Sequence, residues 1–205
     1  MLKRISIIAA ALLFALAVTA QDTDSESNGE NGDQDQNSSF RGSTQLVQAG
    51  ISLGYYGYGY LGSRTGFSLP ISVAYERALK NNFSAGAFIG YASYKYKYLD
   101  YKFGWTYLDF GGRISYHYLP LVNEFLDEDY DTDKFDLYIS LMLIFESRTY
   151  STNNDYLTGQ YDNEFRTLLG TVAGFRYHFN DKFSVFFEGG RSTFGYATVG
   201  LTAYF

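Results

Sequence analysis

The chain of 205 residues has no cysteine, two prolines, one tryptophan and two histidines. The lack of cysteine excludes a disulfide scaffold, a thiolate zinc site and a lipidated N-terminal Cys. Leu, Ala, Glu and Lys are too sparse for a helical bundle, and the length suits one domain of ordinary size. Positive charge is scarce as well: 16 Lys and Arg against 22 Asp and Glu give a formal net charge of -6, so nucleic acid is not an expected partner. What is abundant is tyrosine (21), phenylalanine (18) and glycine (21), a composition that favours β-structure. The mean hydropathy of -0.20 is that of a soluble protein, a reading that the residue pattern reverses.

Residues 1–20 read as a cleaved signal peptide. Lys3 and Arg4 precede an apolar run from Ile5 to Val18, and Val18-Thr19-Ala20 offers small residues to a signal peptidase. The run is shorter than the ~20 residues that a spanning helix needs. Residues 21–44 follow as an acidic segment with Asp22, Asp24, Glu26, Glu30, Asp33 and Asp35 against Arg41. It has almost nothing apolar to bury, so disorder is expected there. Neither this segment nor the cluster Asp127, Glu128, Asp129, Asp131 and Asp133 has the glycine and distal glutamate of a calcium loop; Thr132 stands where that glycine belongs. No metal or other cofactor is expected.

From residue 45 to 205 apolar residues recur with period two. Val47, Ala49, Ile51, Leu53 and Tyr55 form one set, and Phe135, Leu137, Ile139, Leu141, Leu143 and Phe145 form another. Eight such sets span the region, the last being Val199, Leu201, Ala203 and Phe205. A soluble barrel would turn the apolar face inward and its charges outward. Here the other face carries Glu76, Asp109, Arg113, Asp136, Glu146, Arg166, Arg176 and Glu188, mixed with Gly, Ser and Tyr, while the apolar face has almost no charge. That arrangement suits an apolar band against lipid and a polar lumen. Aromatics also gather at two levels: Tyr75, Phe83, Tyr118, Phe135, Phe179, Phe183 and Phe205 at one rim, and Tyr55, Phe67, Tyr91, Phe110, Phe145 and Phe165 at the other. The expected fold is all-β, an eight-stranded antiparallel up-and-down transmembrane β-barrel.

The segment GFRYHFNDKFSVFFEGG followed by TVGLTAYF resembles the final hairpin of small outer-membrane β-barrel proteins of Gram-negative bacteria, of the OmpX or OmpW type. Thr198, Gly200 and the terminal Phe205 are similar to the signal read by the barrel-assembly machinery, with Ala203 where a larger apolar residue is usual. The segment PISVAYERALKNNFSAGAFIGYAS resembles an early hairpin of the same family. The resemblance implies an outer-membrane location with both termini in the periplasm. Segments 77–82, 119–134 and 180–182 are then periplasmic, the second holding a helical turn. Segments 56–65, 94–104, 147–163 and 190–196 become the outer loops.

Eight strands enclose only enough space for side chains. One register places Glu146 opposite Arg166 and Asp136 opposite Arg176, and Phe179 opposite Phe183 sets Glu188 diagonal to Arg176. Phe88, Tyr138, Met142, Ile144, Leu168, Val172 and Phe186 fill the remaining space. The expectation is a lumen plugged by ion pairs and a structural or surface-interaction role. The alternative is a porin-like channel for small or hydrophobic solutes. Catalysis is not expected: the available bases, His117 and His178, stand next to the periplasmic turns, away from the outer leaflet. Lys95 and Lys97 could reach lipopolysaccharide phosphates or simply extend a tyrosine-rich strand. Expected partners are outer-membrane lipids and lipopolysaccharide, the assembly machinery, and surface glycans or proteins at the tyrosine-rich first loop.

Overall fold

The structure is a computed structural model that describes residues 45–55, 63–98, 101–127, 130–152, 163–192 and 194–205. The expected signal peptide, the acidic segment and Tyr56, Tyr58 and Tyr60 of the expected first loop lie outside these residues, as do the side chains of Tyr55 and Phe67. Eight antiparallel strands close on themselves in sequence order. They are β1 (Gln45–Tyr55), β2 (Ser63–Ala78), β3 (Phe83–Tyr98), β4 (Tyr101–His117), β5 (Phe135–Thr152), β6 (Glu164–Asn180), β7 (Phe183–Arg191) and β8 (Gly195–Tyr204), with one helix, α1 (Leu119–Leu126), between β4 and β5.

Closure runs through β8 on β1, from Leu46↔Tyr204 to Tyr55↔Gly195, and the backbone N–H of Phe205 donates to the carbonyl of Gln45 at 3.0 Å. Followed from strand to strand, Gln45 leads to Arg77, Ala85, Ile114, Leu141, Thr171 and Arg191. Continuing the registers of β7 on β8 and β8 on β1 returns to Tyr55, ten residues further along β1. A stagger of that size in eight strands tilts them by about 40° and leaves an interior that side chains can fill.

The period-two pattern becomes an inside and an outside. On β6, Gly170, Val172, Gly174, Arg176 and His178 are buried, while Leu169, Thr171, Ala173, Phe175 and Tyr177 are exposed. Around the outside, Ile51, Leu69, Ile89, Ile114, Leu141, Phe187 and Leu201 are exposed apolar side chains. Water would disfavour that belt by about 25 cal/mol per Å², so lipid is its natural surroundings. The aromatic clusters at the two levels are in contact: Phe110, Phe145 and Phe165 pack together, as do Phe135, Phe175, Tyr177 and Phe179.

Three details differ from the sequence expectation. Residues 94–98, 101–104 and 147–152 stay in the sheet where loops were expected. Pairing continues through Tyr94↔Trp105, Tyr96↔Phe103 and Tyr98↔Tyr101, and β5 runs to Thr152. Cross-strand ring contacts between Tyr96 and Phe103 and between Trp105 and Tyr150 favour the extended form. Phe183 pairs with Asn180 rather than Phe179, because the Asn180 side chain accepts from the backbone N–H groups of Lys182 and Phe183, both at 2.9 Å, and shifts the register at the turn. The predicted register resumes at His178↔Ser184. The third detail is in β2, where pairing is irregular between Ser68 and Ile71; Pro70 lies there and has no N–H to give the ladder.

Strands β2 to β6 have 16 to 18 residues, β7 and β8 only 9 and 10, so the barrel is taller on one side. At the opposite end the turns are tight. Asn81 and Asn82 both adopt positive φ, which asparagine tolerates, and α1 starts with proline in its first turn. The chain leaving α1 is fastened by Asn123, whose amide donates to the Tyr130 carbonyl and whose carbonyl accepts the Tyr130 N–H. Asp131 caps the next turn through the N–H groups of Asp133 and Lys134, and its hydrogen bond to the Lys134 side chain holds its carboxyl below the usual range.

Candidate functional site: the charged lumen

Seven of the barrel's strands contribute to a polar layer inside its short-turn half. Arg113 on β4 lies 3.1 Å from Glu76 on β2 and 2.6 Å from Glu188 on β7. Arg176 on β6 lies 2.9 Å from Asp136 on β5 and 3.4 Å from Glu76. Gln48 on β1 joins the two halves: its carbonyl accepts from Arg176 at 2.9 Å and its amide donates to Glu188 at 2.8 Å. Tyr138 donates its hydroxyl to Glu188 at 2.9 Å, and its ring stacks 3.9 Å from the Arg176 guanidinium. All of these groups are buried. Arg176 fits beneath Tyr138 because the strand partner is Gly174; a Cβ there would fall 2.1 Å from the Tyr138 ring.

The hydroxyls between the charges are ordered by donor accounting. Arg113 donates to Ser140 at 2.8 Å, Ser140 and Ser115 are 2.8 Å apart, and Ser115 donates to Glu76 at 2.7 Å. With its one proton on Glu76, Ser115 must accept from Ser140. Ser84 likewise gives its proton to Glu76 at 2.6 Å, so at 3.1 Å from His117 Nε2 it accepts. The other ring nitrogen, Nδ1, is 2.9 Å from Asp136 Oδ1. The His117 ring thus bridges Ser84 and Asp136. Glu76, Asp136 and Glu188 thereby face Arg113, Arg176 and the His117 ring across the layer.

Ser84, His117 and Asp136 form a serine–histidine–carboxylate line that the sequence reading missed. The period-two pattern placed all three on the inner face, but only the pairing of β3 with β4 and β4 with β5 brings them together. A nucleophile needs its proton pointed at the histidine and a route for substrate. Here the serine proton goes to Glu76 and Ser84 has no exposed surface. The arrangement holds charge and does not activate a hydroxyl.

The eight predicted lumen charges divide into two groups. Glu76, Arg113, Asp136, Arg176 and Glu188 meet in the layer just described. Glu146 and Arg166 are opposite in register, as expected from sequence, but among the described residues no ion pair joins them. Arg166 instead bonds Glu164 two residues away, and is half exposed where β6 rises above the end of β7. Asp109 faces inward but stands apart, opposite Glu146. Between these groups lies an apolar layer of Ala74, Phe88, Met142, Ile144 and Val172. Toward the tall side is an aromatic layer of Tyr94, Tyr96, Trp105, Tyr107 and Phe194, with Arg148 3.7 Å above the Trp105 ring. A cavity of ≈ 20 Å³ lies among Gln48, Phe88, Arg113, Met142, Glu188 and Thr198, about the room of one water.

The other residues singled out from sequence are also placed. Thr198 is buried in the lumen, 3.1 Å from the Ser52 hydroxyl. Gly200 faces Gly50 across the closing seam, where a Cβ would meet the Ala49 carbonyl at 2.0 Å, and Phe205 is exposed at the rim. Lys95 and Lys97 are exposed on the outer face of β3, beside Gly104 and Lys102 of β4.

No protein-family model and no curated protein sequence matches the chain. Among solved structures it is similar to the outer membrane protein OprG from Pseudomonas aeruginosa, with a TM-score of 0.45 and 12% identity over 80% of this chain and 96% of that one. It is similar also to Ail, the attachment invasion locus protein of Yersinia pestis, with a TM-score of 0.38 and 14% identity over 79% of this chain and 94% of Ail. Neisserial surface protein A is a third, with a TM-score of 0.38 and 14% identity over 80% and 95% of the two chains.

Proposed function

We propose that this chain is an integral outer-membrane β-barrel whose lumen is closed to solutes and whose task is structural or one of surface interaction. The carrying observation is the layer of Glu76, Arg113, Asp136, Arg176 and Glu188, which crosses the interior with each of these side chains in an ion pair. A solute pathway there would have to break buried ion pairs at about 3–5 kcal/mol each. Beyond it, apolar and aromatic clusters around Phe88 and Ile144 and around Tyr94 and Trp105 fill further space in the lumen. Catalysis has no support in the Ser84–His117–Asp136 line, which is sealed.

In this reading both termini are periplasmic. The tight turns at Asn81 and Asn180 share their end with Gln45 and Phe205, and the tall strands project from the opposite surface. Partners are outer-membrane lipids against the apolar belt, lipopolysaccharide at Lys95 and Lys97, and the assembly machinery at Thr198, Gly200 and Phe205. Flux into liposomes carrying the purified protein tests the closed lumen. Uptake of small polar or apolar solutes should match that of empty liposomes; conductance or uptake would favour the channel and end this reading.

A further inference from the structure

Asp109 is a buried charge that the lumen network does not serve. It has no exposed surface, and neither carboxyl oxygen meets a donor. On β3 its neighbour is Gly90, which has no side chain, and the Phe194 ring fills the space 2.7 Å from where a Cβ would stand. Along β4 the next inward positions are Tyr107, in the aromatic layer, and Gly111, which is flanked by Phe88 and Ile144 of the apolar layer. On β5 the residue directly opposite is Glu146, a second carboxylate. The remaining charges of this region act on Glu146: Arg148 on its own strand, Arg166 and Glu164 on β6, and Arg191 on β7. None of these forms an ion pair with Asp109.

An isolated carboxylate costs so much to bury that it takes up a proton instead. Two facing carboxylates cannot both remain ionised, and the one without cations nearby gives way. We propose that Asp109 is a proton-binding site, occupied at neutral pH, whose O–H is shared with the Glu146 carboxylate across β4 and β5. The proton joins the apolar layer to the aromatic layer: while it is bound, the pair carries one negative charge, which lies in the field of Arg148, Arg166 and Arg191. Its loss at high pH places two negative charges at that junction and loosens the tall half of the barrel, leaving the Arg113–Arg176 layer intact.

The test is infrared spectroscopy of the folded full chain in lipid bilayers, with urea unfolding as second readout. At pH 7 the wild type should show a protonated-carboxyl band that shifts when aspartate is labelled with carbon-13. It should vanish in Asp109→Asn and persist in Glu146→Gln. Because the folded state holds a proton that the unfolded chain releases, the urea midpoint of the wild type should fall as pH rises above the ordinary carboxylate range. That of Asp109→Asn should lack this fall. The labelled wild type decides the matter even if Asp109→Asn does not fold. No such band at pH 7, a band that does not shift with the label, or a band abolished by excess calcium would each overturn the proposal, the last by showing a metal cation in place of the proton.

Discussion

Arg176→Met is the perturbation that weighs the lumen network most directly. The guanidinium reaches Asp136 and Gln48 at 2.9 Å and Glu76 at 3.4 Å, and lies 3.9 Å from the Tyr138 ring centre. Methionine keeps most of the volume and removes the charge. Glu76 retains Arg113, Ser84 and Ser115, so its loss is partial. Among the described residues Asp136 retains His117, and it is the group left without its guanidinium in a low-dielectric interior. Removing one member of a buried pair costs about 3–5 kcal/mol, and that is the expected loss. The single tryptophan, Trp105, is buried in the tall half and reports urea unfolding from lipid vesicles without touching the altered layer. Adding Asp136→Asn should restore part of the loss, because the stranded charge is removed along with its partner. A loss below about 1 kcal/mol for Arg176→Met, or a double variant as unstable as the sum of the singles, would refute the reasoning.

Three further outcomes follow from the same geometry. Arg166→Ala should cost about 1 kcal/mol or less in the same urea assay, since Arg166 is half exposed and its ion pair among the described residues is with Glu164, although sequence spacing makes it look equivalent to Arg176. Gly174→Ala should cost about 1–3 kcal/mol, because its Cβ would fall 2.1 Å from Tyr138, a ring held by both Arg176 and Glu188. Lys95→Glu combined with Lys97→Glu should weaken lipopolysaccharide association in a vesicle co-sedimentation assay while leaving the urea midpoint within about 0.5 kcal/mol, as both side chains are exposed; unchanged association would remove the lipopolysaccharide contact.

Much of the barrel could be read from residues alone because a closed sheet obeys one period. Alternation sorts Glu76, Asp136 and Arg176 to one face and Ile139, Leu141 and Phe175 to the other without knowledge of the partner strand. Even the β5–β6 register was legible, since two charge pairs shared one offset. What alternation cannot supply is height. Glu146 and Arg166 are as well matched in sequence as Asp136 and Arg176, yet they stand where β7 has already ended, and Arg166 turns to Glu164 instead. Nor could it reveal the extent of β3, β4 and β5, because tyrosine and lysine alternate in an extended strand and in a loop alike. The Ser84–His117–Asp136 line needed three strands in register, and no spacing within one segment points to it. The lone position of Asp109 depended on Gly90, a residue whose contribution is the absence of a donor.

The network also bears on why the barrel adopts one register. A slip of one residue between β5 and β6 would invert one of the two strands, turning either Arg176 into lipid and Phe175 into the lumen or Asp136 into lipid and Leu137 into the lumen, which the bilayer alone penalises. A slip of two residues keeps each face correct, so lipid cannot detect it. The ion pairs can: Asp136 would then lie beside Gly174 or His178 in place of Arg176, and the ring of Tyr138 would meet a side chain where Gly174 now gives it room. Arg113 ties β4 to β2 and β7 in the same way, through Glu76 and Glu188. Gln48 carries the constraint across the closing seam from β1 to β6 and β7. The lipid face thus selects the parity of each pairing and the lumen charges select among registers of equal parity. This is why Gly174→Ala and Arg176→Met, chemically unlike, should disturb the same property: both loosen contacts that distinguish the native β5–β6 register from one displaced by two residues.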